Sequence, residues 1–127
     1  MKHILTLILA MLLLLTGCGG KNVEKTYQQI TQEKAKEMME AQDVIVLDVR
    51  EQDEFDSGHI PGAVLLPVGT ITKATAASVI PETDSVVLVY CRSGNRSKTA
   101  SRALVKLGYT NIYEFGGIND WPYDIEQ

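Results

Sequence analysis

The seven residues Cys91-Arg92-Ser93-Gly94-Asn95-Arg96-Ser97 place a thiol, two guanidinium groups and a run of small residues in one short stretch. A thiol attacks only as its thiolate, and a free cysteine with a pKa of about 8.5 holds just a few per cent of that form near pH 7. Lowering the pKa by about two units takes ~2.7 kcal/mol of differential stabilisation. A tight loop between a strand and a helix has the means. Inward-turned backbone amides form a nest for an anion, and the unsatisfied amides of the helix's first turn add to it. Gly94 has the freedom for unusual dihedrals and Asn95 tolerates them, so Ser93, Gly94 and Asn95 are read as acting through their amides. Arg92 and Arg96 bring positive charge to a helix start, where cations are mildly unfavourable, which points to anion binding rather than helix stability. Ser97 stands open between a hydroxyl donor to substrate and a first-turn cap. Cys91 is the candidate nucleophile, and residues 92–97 are the candidate substrate-binding loop.

Such a loop needs a buried strand before it and a helix after it. Residues 85–90, Ser-Val-Val-Leu-Val-Tyr, read as a strand buried on both faces. Residues 95–107 read as a helix with Ala100, Ala103, Leu104 and Leu107 on one face and Gly108 as its stop. The rest of the chain alternates in the same way. A short edge strand is expected at 27–30, a helix at 32–42 capped by Thr31, and a buried strand at 44–47. One or two helical turns follow at 51–56, turn signals at Ser57-Gly58 and Pro61-Gly62, and a strand at 63–66. A weakly patterned helix is expected at 70–80, a last strand at 111–114, and a closing turn or short helix at 117–121. Strands separated by helices imply parallel pairing with right-handed crossovers, and ligands of such sheets collect beyond the carboxyl ends of the strands. That edge would carry Asp48, Arg50 and Cys91.

The whole chain has 127 residues, 12 Lys+Arg against 16 Asp+Glu, a net charge of −4 and 45% hydrophobic residues. This is one domain's worth of ordinary globular composition, which excludes a disordered, collagen-like or disulfide-scaffold chain. The charge excludes a generally basic nucleic-acid binder. Residues 2–18 start with Lys-His, run apolar from Ile4 to Leu15 except for Thr6, and close on Thr16-Gly17-Cys18. That is the pattern of a secretory signal, and the apolar run is too short for the roughly 20 residues of a membrane-spanning helix. Leu15-Thr16-Gly17-Cys18 resembles the lipobox of bacterial lipoproteins. The resemblance implies removal of residues 1–17, acylation of Cys18, and anchoring to the outward side of the bacterial cell membrane. Residues 18–26 would form the lipidated cysteine and a flexible tether, and 27–127 the folded domain. The mature chain would carry 11 basic and 16 acidic residues, and Cys91 would be its one remaining thiol.

The loop at 91–97 resembles the active-site loop of the rhodanese-like sulfurtransferases. So do Leu47-Asp48-Val49-Arg50 with Glu54-Phe55, Gly58-His59-Ile60-Pro61-Gly62-Ala63, and Gly116-Gly117 with Trp121. The resemblance covers residues 27 to about 125. It implies an α/β fold with a central parallel sheet of about five strands and helices on both faces. It also implies a ping-pong sulfur transfer: Cys91 takes a sulfane sulfur from thiosulfate or a similar anionic donor and passes it to cyanide or a thiol. The resemblance calls for no metal or organic cofactor.

Two other readings share the loop. Cysteine-dependent phosphatases and arsenate reductases also set a cysteine and an arginine around an anion, but with Cys-x5-Arg spacing, whereas four residues separate Cys91 from Arg96. The second is a persulfide carrier or tethered binding module that does not turn over. Elsewhere, Asp48 is read as a brace and His59 as a turn organiser, while Arg50 is left open. Trp121 and the Met38-Met39 pair are read as packing residues.

Overall fold

A computed structural model describes residues 26–127. The expected signal segment, the lipidation site Cys18 and all but the end of the tether lie outside the described residues. Five parallel strands, β1 (Gln28–Gln29), β2 (Ile45–Asp48), β3 (Val64–Leu65), β4 (Val86–Cys91) and β5 (Asn111–Gly117), form one sheet in the order β1-β5-β4-β2-β3. The helices are α1 (Gln32–Ala41), α2 (Gln52–Ser57), α3 (Lys73–Val79) and α4 (Asn95–Lys106). This is the expected α/β architecture.

Alternation along β4 divides the core. Val87, Val89 and Cys91 face α3 and α4, packing with Ala76, Ile80, Ala100 and Leu104. Leu88 and Tyr90 face the other layer with Ala35 and Met38 of α1, and Phe55 of α2 packs at its margin. Burying a side chain of this size is worth about 1.5–3 kcal/mol, so β4 is a rigid mount for whatever stands at its end. The same two-residue period delivers Cys91 to the α4 side.

Most boundaries shift by a residue from the sequence reading, and three differences stand out. The helix expected at 70–80 is split: a 3-10 turn occupies Val68–Thr70 and α3 begins at Lys73. The cause is a reciprocal cap, in which Thr72 Oγ1 accepts from the Thr75 amide and Thr75 Oγ1 accepts from the Thr72 amide. The edge strand is confined to Gln28–Gln29, although the Ile30 amide still reaches the Glu114 carbonyl. The last strand runs on to Gly117 through a bulge, since Val89 pairs with Glu114 but Cys91 pairs with Gly117. That extra length brings β5 beside the Cys91 loop.

Candidate active site

Cys91 ends β4 and α4 starts at Asn95, so three residues make the turn between them. Gly94 caps α4 at φ +105°, a left-handed conformation that side-chain-bearing residues adopt with difficulty. This geometry puts the Gly94 amide 3.0 Å from the Cys91 sulfur. The Ser97 hydroxyl lies 3.4 Å from the same sulfur, one turn into the helix. Burial pushes the Cys91 thiol up, but the Ser97 hydroxyl and the amides of Ser97, Gly94 and Ser93 together bring it below the ordinary thiol value. The sulfur-bearing residue keeps only 1% of its surface. Asn95 is exposed, and its carbonyl accepts from Thr99.

The two arginines part company. Arg96 is held in a two-pronged pair with Glu54 of α2, at 2.6 and 2.9 Å. Arg96 and the Glu51 amide hold the Glu54 carboxyl down at about 2 against the opposing effect of burial. Arg96 is therefore largely neutralised by a carboxylate that the loop sequence does not contain. Arg92 is exposed and makes no ion pair among the described residues. It lines a cleft of about 510 Å³ with Arg50, Glu54, Asp53, Ile118 and Ile125.

Close approach of β5 completes the loop. The Asn119 amide donates to the Arg92 carbonyl, and a Cβ on Gly117 would overlap that same carbonyl. Ser97 also donates to Glu114 at 2.5 Å, and the Gly116 amide donates to the same Glu114 oxygen at 2.8 Å. The loop sequence points to neither Glu54 nor Glu114 as a site residue. The pairing of Glu54 with Arg96 spans 42 positions and leaves no local trace. Glu114 did leave one: it stands two residues after the buried Ile112, where strand alternation calls for an apolar side chain.

Behind the loop, Asp48 is fully buried. It accepts from the amide and guanidinium of Arg50 and, at 2.6 Å, from the Tyr90 hydroxyl. Arg50 also donates to the Gly58 carbonyl, so this charge is committed to holding the neighbouring turn. His59 stacks on Phe55 at 3.7 Å, its Nδ1 lies 2.9 Å from the Phe55 carbonyl, and its Nε2 lies 3.3 Å from Glu126. Trp121 packs with Phe115 in the α1 layer. The arrangement can hold an ionised sulfur in a buried cage of amides, near a cleft whose Arg92 guanidinium has no ion-pair partner among the described residues.

A family model for the rhodanese-like domain matches residues 31–123. Thiosulfate sulfurtransferase GlpE of Coxiella burnetii is 32% identical over 96 residues, which cover 75% of this chain and 87% of GlpE. A mitochondrial protein of Schizosaccharomyces pombe is 45% identical over 83 residues, 58% of this chain. The chain spans only 58% of that protein's own length. Among solved structures, a rhodanese with anions from Escherichia coli matches with a TM-score of 0.62 and 28% identity, covering 67% of this chain and 99% of that one.

Proposed function

The chain belongs to the rhodanese-like domain family, and we propose that it is a sulfurtransferase working through a persulfide on Cys91. The Cys91 thiolate attacks the outer sulfur of a donor such as thiosulfate. A new S–S bond forms, the donor's own S–S bond breaks, and sulfite departs with the electron pair. A thiolate or cyanide acceptor then attacks the terminal sulfur of the persulfide, and the Cys91 thiolate leaves. Each half-reaction puts negative charge on sulfur at the mouth of the same amide nest, so one fixed set of dipoles serves both.

The observation that carries this reading is the Gly94 amide 3.0 Å from the Cys91 sulfur, in a loop whose amides offset the penalty of burying a charge there. Arg92 supports recruitment of an anionic donor, since it is the loop's unpaired cation beside the cleft. Steady-state transfer from thiosulfate to cyanide tests the proposal: wild type gives saturable turnover and Cys91→Ser gives none. Activity persisting in Cys91→Ser defeats it. Sulfur retained on the protein without turnover would make it a carrier.

Export and anchoring through an acylated Cys18 are part of the proposal, supported by the sequence of residues 2–18. Cell fractionation tests this, with wild type in the membrane fraction and Cys18→Ala released from it. Equal partitioning of the two would overturn the anchor.

A further inference from the structure

Glu114 is 3% exposed, and Ser97, between it and Cys91, is fully buried. A carboxylate so placed is costly unless hydrogen-bonded, and this one accepts from Ser97, from the Gly116 amide and, at 3.5 Å, from Gln29. A serine hydroxyl has one hydrogen to give. The 2.5 Å separation from Glu114 lies in the range of a charge-assisted bond, whereas the sulfur is 3.4 Å away. The hydrogen therefore belongs to Glu114, and Ser97 turns its lone pairs toward Cys91. A thiol completes that chain by donating S–H to the serine oxygen. A thiolate would meet lone pairs, with a second negative charge behind them.

We propose that Glu114 is a positioning residue of the sulfur-transfer site, which competes with the Cys91 sulfur for the Ser97 hydrogen and so makes that thiol harder to ionise than the loop alone would. Ionisation requires the Ser97 hydrogen to turn from Glu114 to the sulfur, while the thiol proton leaves to solvent. The amides of the loop then stabilise the thiolate and Ser97 joins them. Other charges face the pair from each packed element. They are Arg96 of α4, which acts on Cys91, with its partner Glu54 of α2, and Lys98 and Asp120, which line a second pocket with Glu114. None of them contacts the Ser97 hydroxyl, whose partners among the described residues are Glu114, the Cys91 sulfur and, at 3.5 Å, the Gly116 carbonyl, with Glu114 by far the nearest acceptor.

The inference rests on Cys91 being the nucleophile, but its test uses neither donor nor acceptor and is read separately from sulfur transfer. Thiolate absorbance is titrated in the full chain, as the difference from the Cys91→Ser form of each variant. Glu114→Gln keeps an acceptor for Ser97 while losing the charge, so the Cys91 midpoint falls by about one pH unit. Glu114→Asp draws the carboxylate back from Ser97 and shifts the midpoint in the same direction by less. In a Ser97→Ala background the Glu114→Gln shift shrinks to below about half, as expected of coupled residues. An unchanged or raised midpoint in either Glu114 variant, or a Glu114→Gln shift indifferent to Ser97, overturns the proposal.

Discussion

At the sulfur of Cys91, desolvation and hydrogen bonding pull in opposite directions, and the Ser97 hydroxyl together with the loop amides decides the sign. Arginine charge contributes less than the loop sequence suggests, because Glu54 answers Arg96. The two guanidinium groups thus have separable roles. Arg92→Ala should raise the KM for an anionic donor about fivefold and leave kcat nearly unchanged, the signature of lost recruitment. Initial rates against thiosulfate concentration check this, and a fall in kcat at constant KM would place Arg92 in the transition state instead. The place of Cys91 and Gly94 could be read from the sequence because a strand-loop-helix unit is local and its amides follow from its length. Ser97, open there between a donor to substrate and a cap, lies instead between Cys91 and Glu114. Glu54 and Glu114 could not be assigned roles, because each meets the loop only after the sheet has formed.

At the level of elements, the site depends on how closely β5 approaches the β4–α4 turn. Gly117 lies against the Arg92 carbonyl with no room for a side chain. Gly117→Ala should therefore displace the loop, destabilise the domain by about 3 kcal/mol and abolish transfer, which chemical denaturation and the steady-state assay would show together. A variant of normal stability and activity would mean the loop has slack. The strands and helices were legible because β2 and β4 are long β-branched runs and α4 has a clear apolar face. The exceptions are cases where a side chain or a glycine overrides the pattern: the Thr72–Thr75 cap delays α3, and the bulge around Gly116 prolongs β5. Periodicity alone carries neither.

Across the whole molecule, the pair of Glu54 and Arg96 joins α2 on one face of the sheet to α4 on the other, over the edge where the strands end. Because the folded Glu54 carboxyl is depressed to about 2 from an ordinary 4.5, its stabilising contribution is complete above the ordinary value. It is lost as pH falls through the folded one. The pair is partly exposed, which limits the contribution to about 1 kcal/mol. Wild type should thus lose stability more steeply than Glu54→Gln between about pH 4.5 and 2, as read from denaturation midpoints; parallel curves would show that the pair does not link the layers. The intact protein also offers the most direct test of its chemistry. Mass spectrometry after stoichiometric thiosulfate should find one added sulfur atom, localised to the Cys91 peptide and removed by cyanide. Donor consumed while Cys91 stays unmodified, or sulfur found on another residue, would contradict a persulfide at this loop.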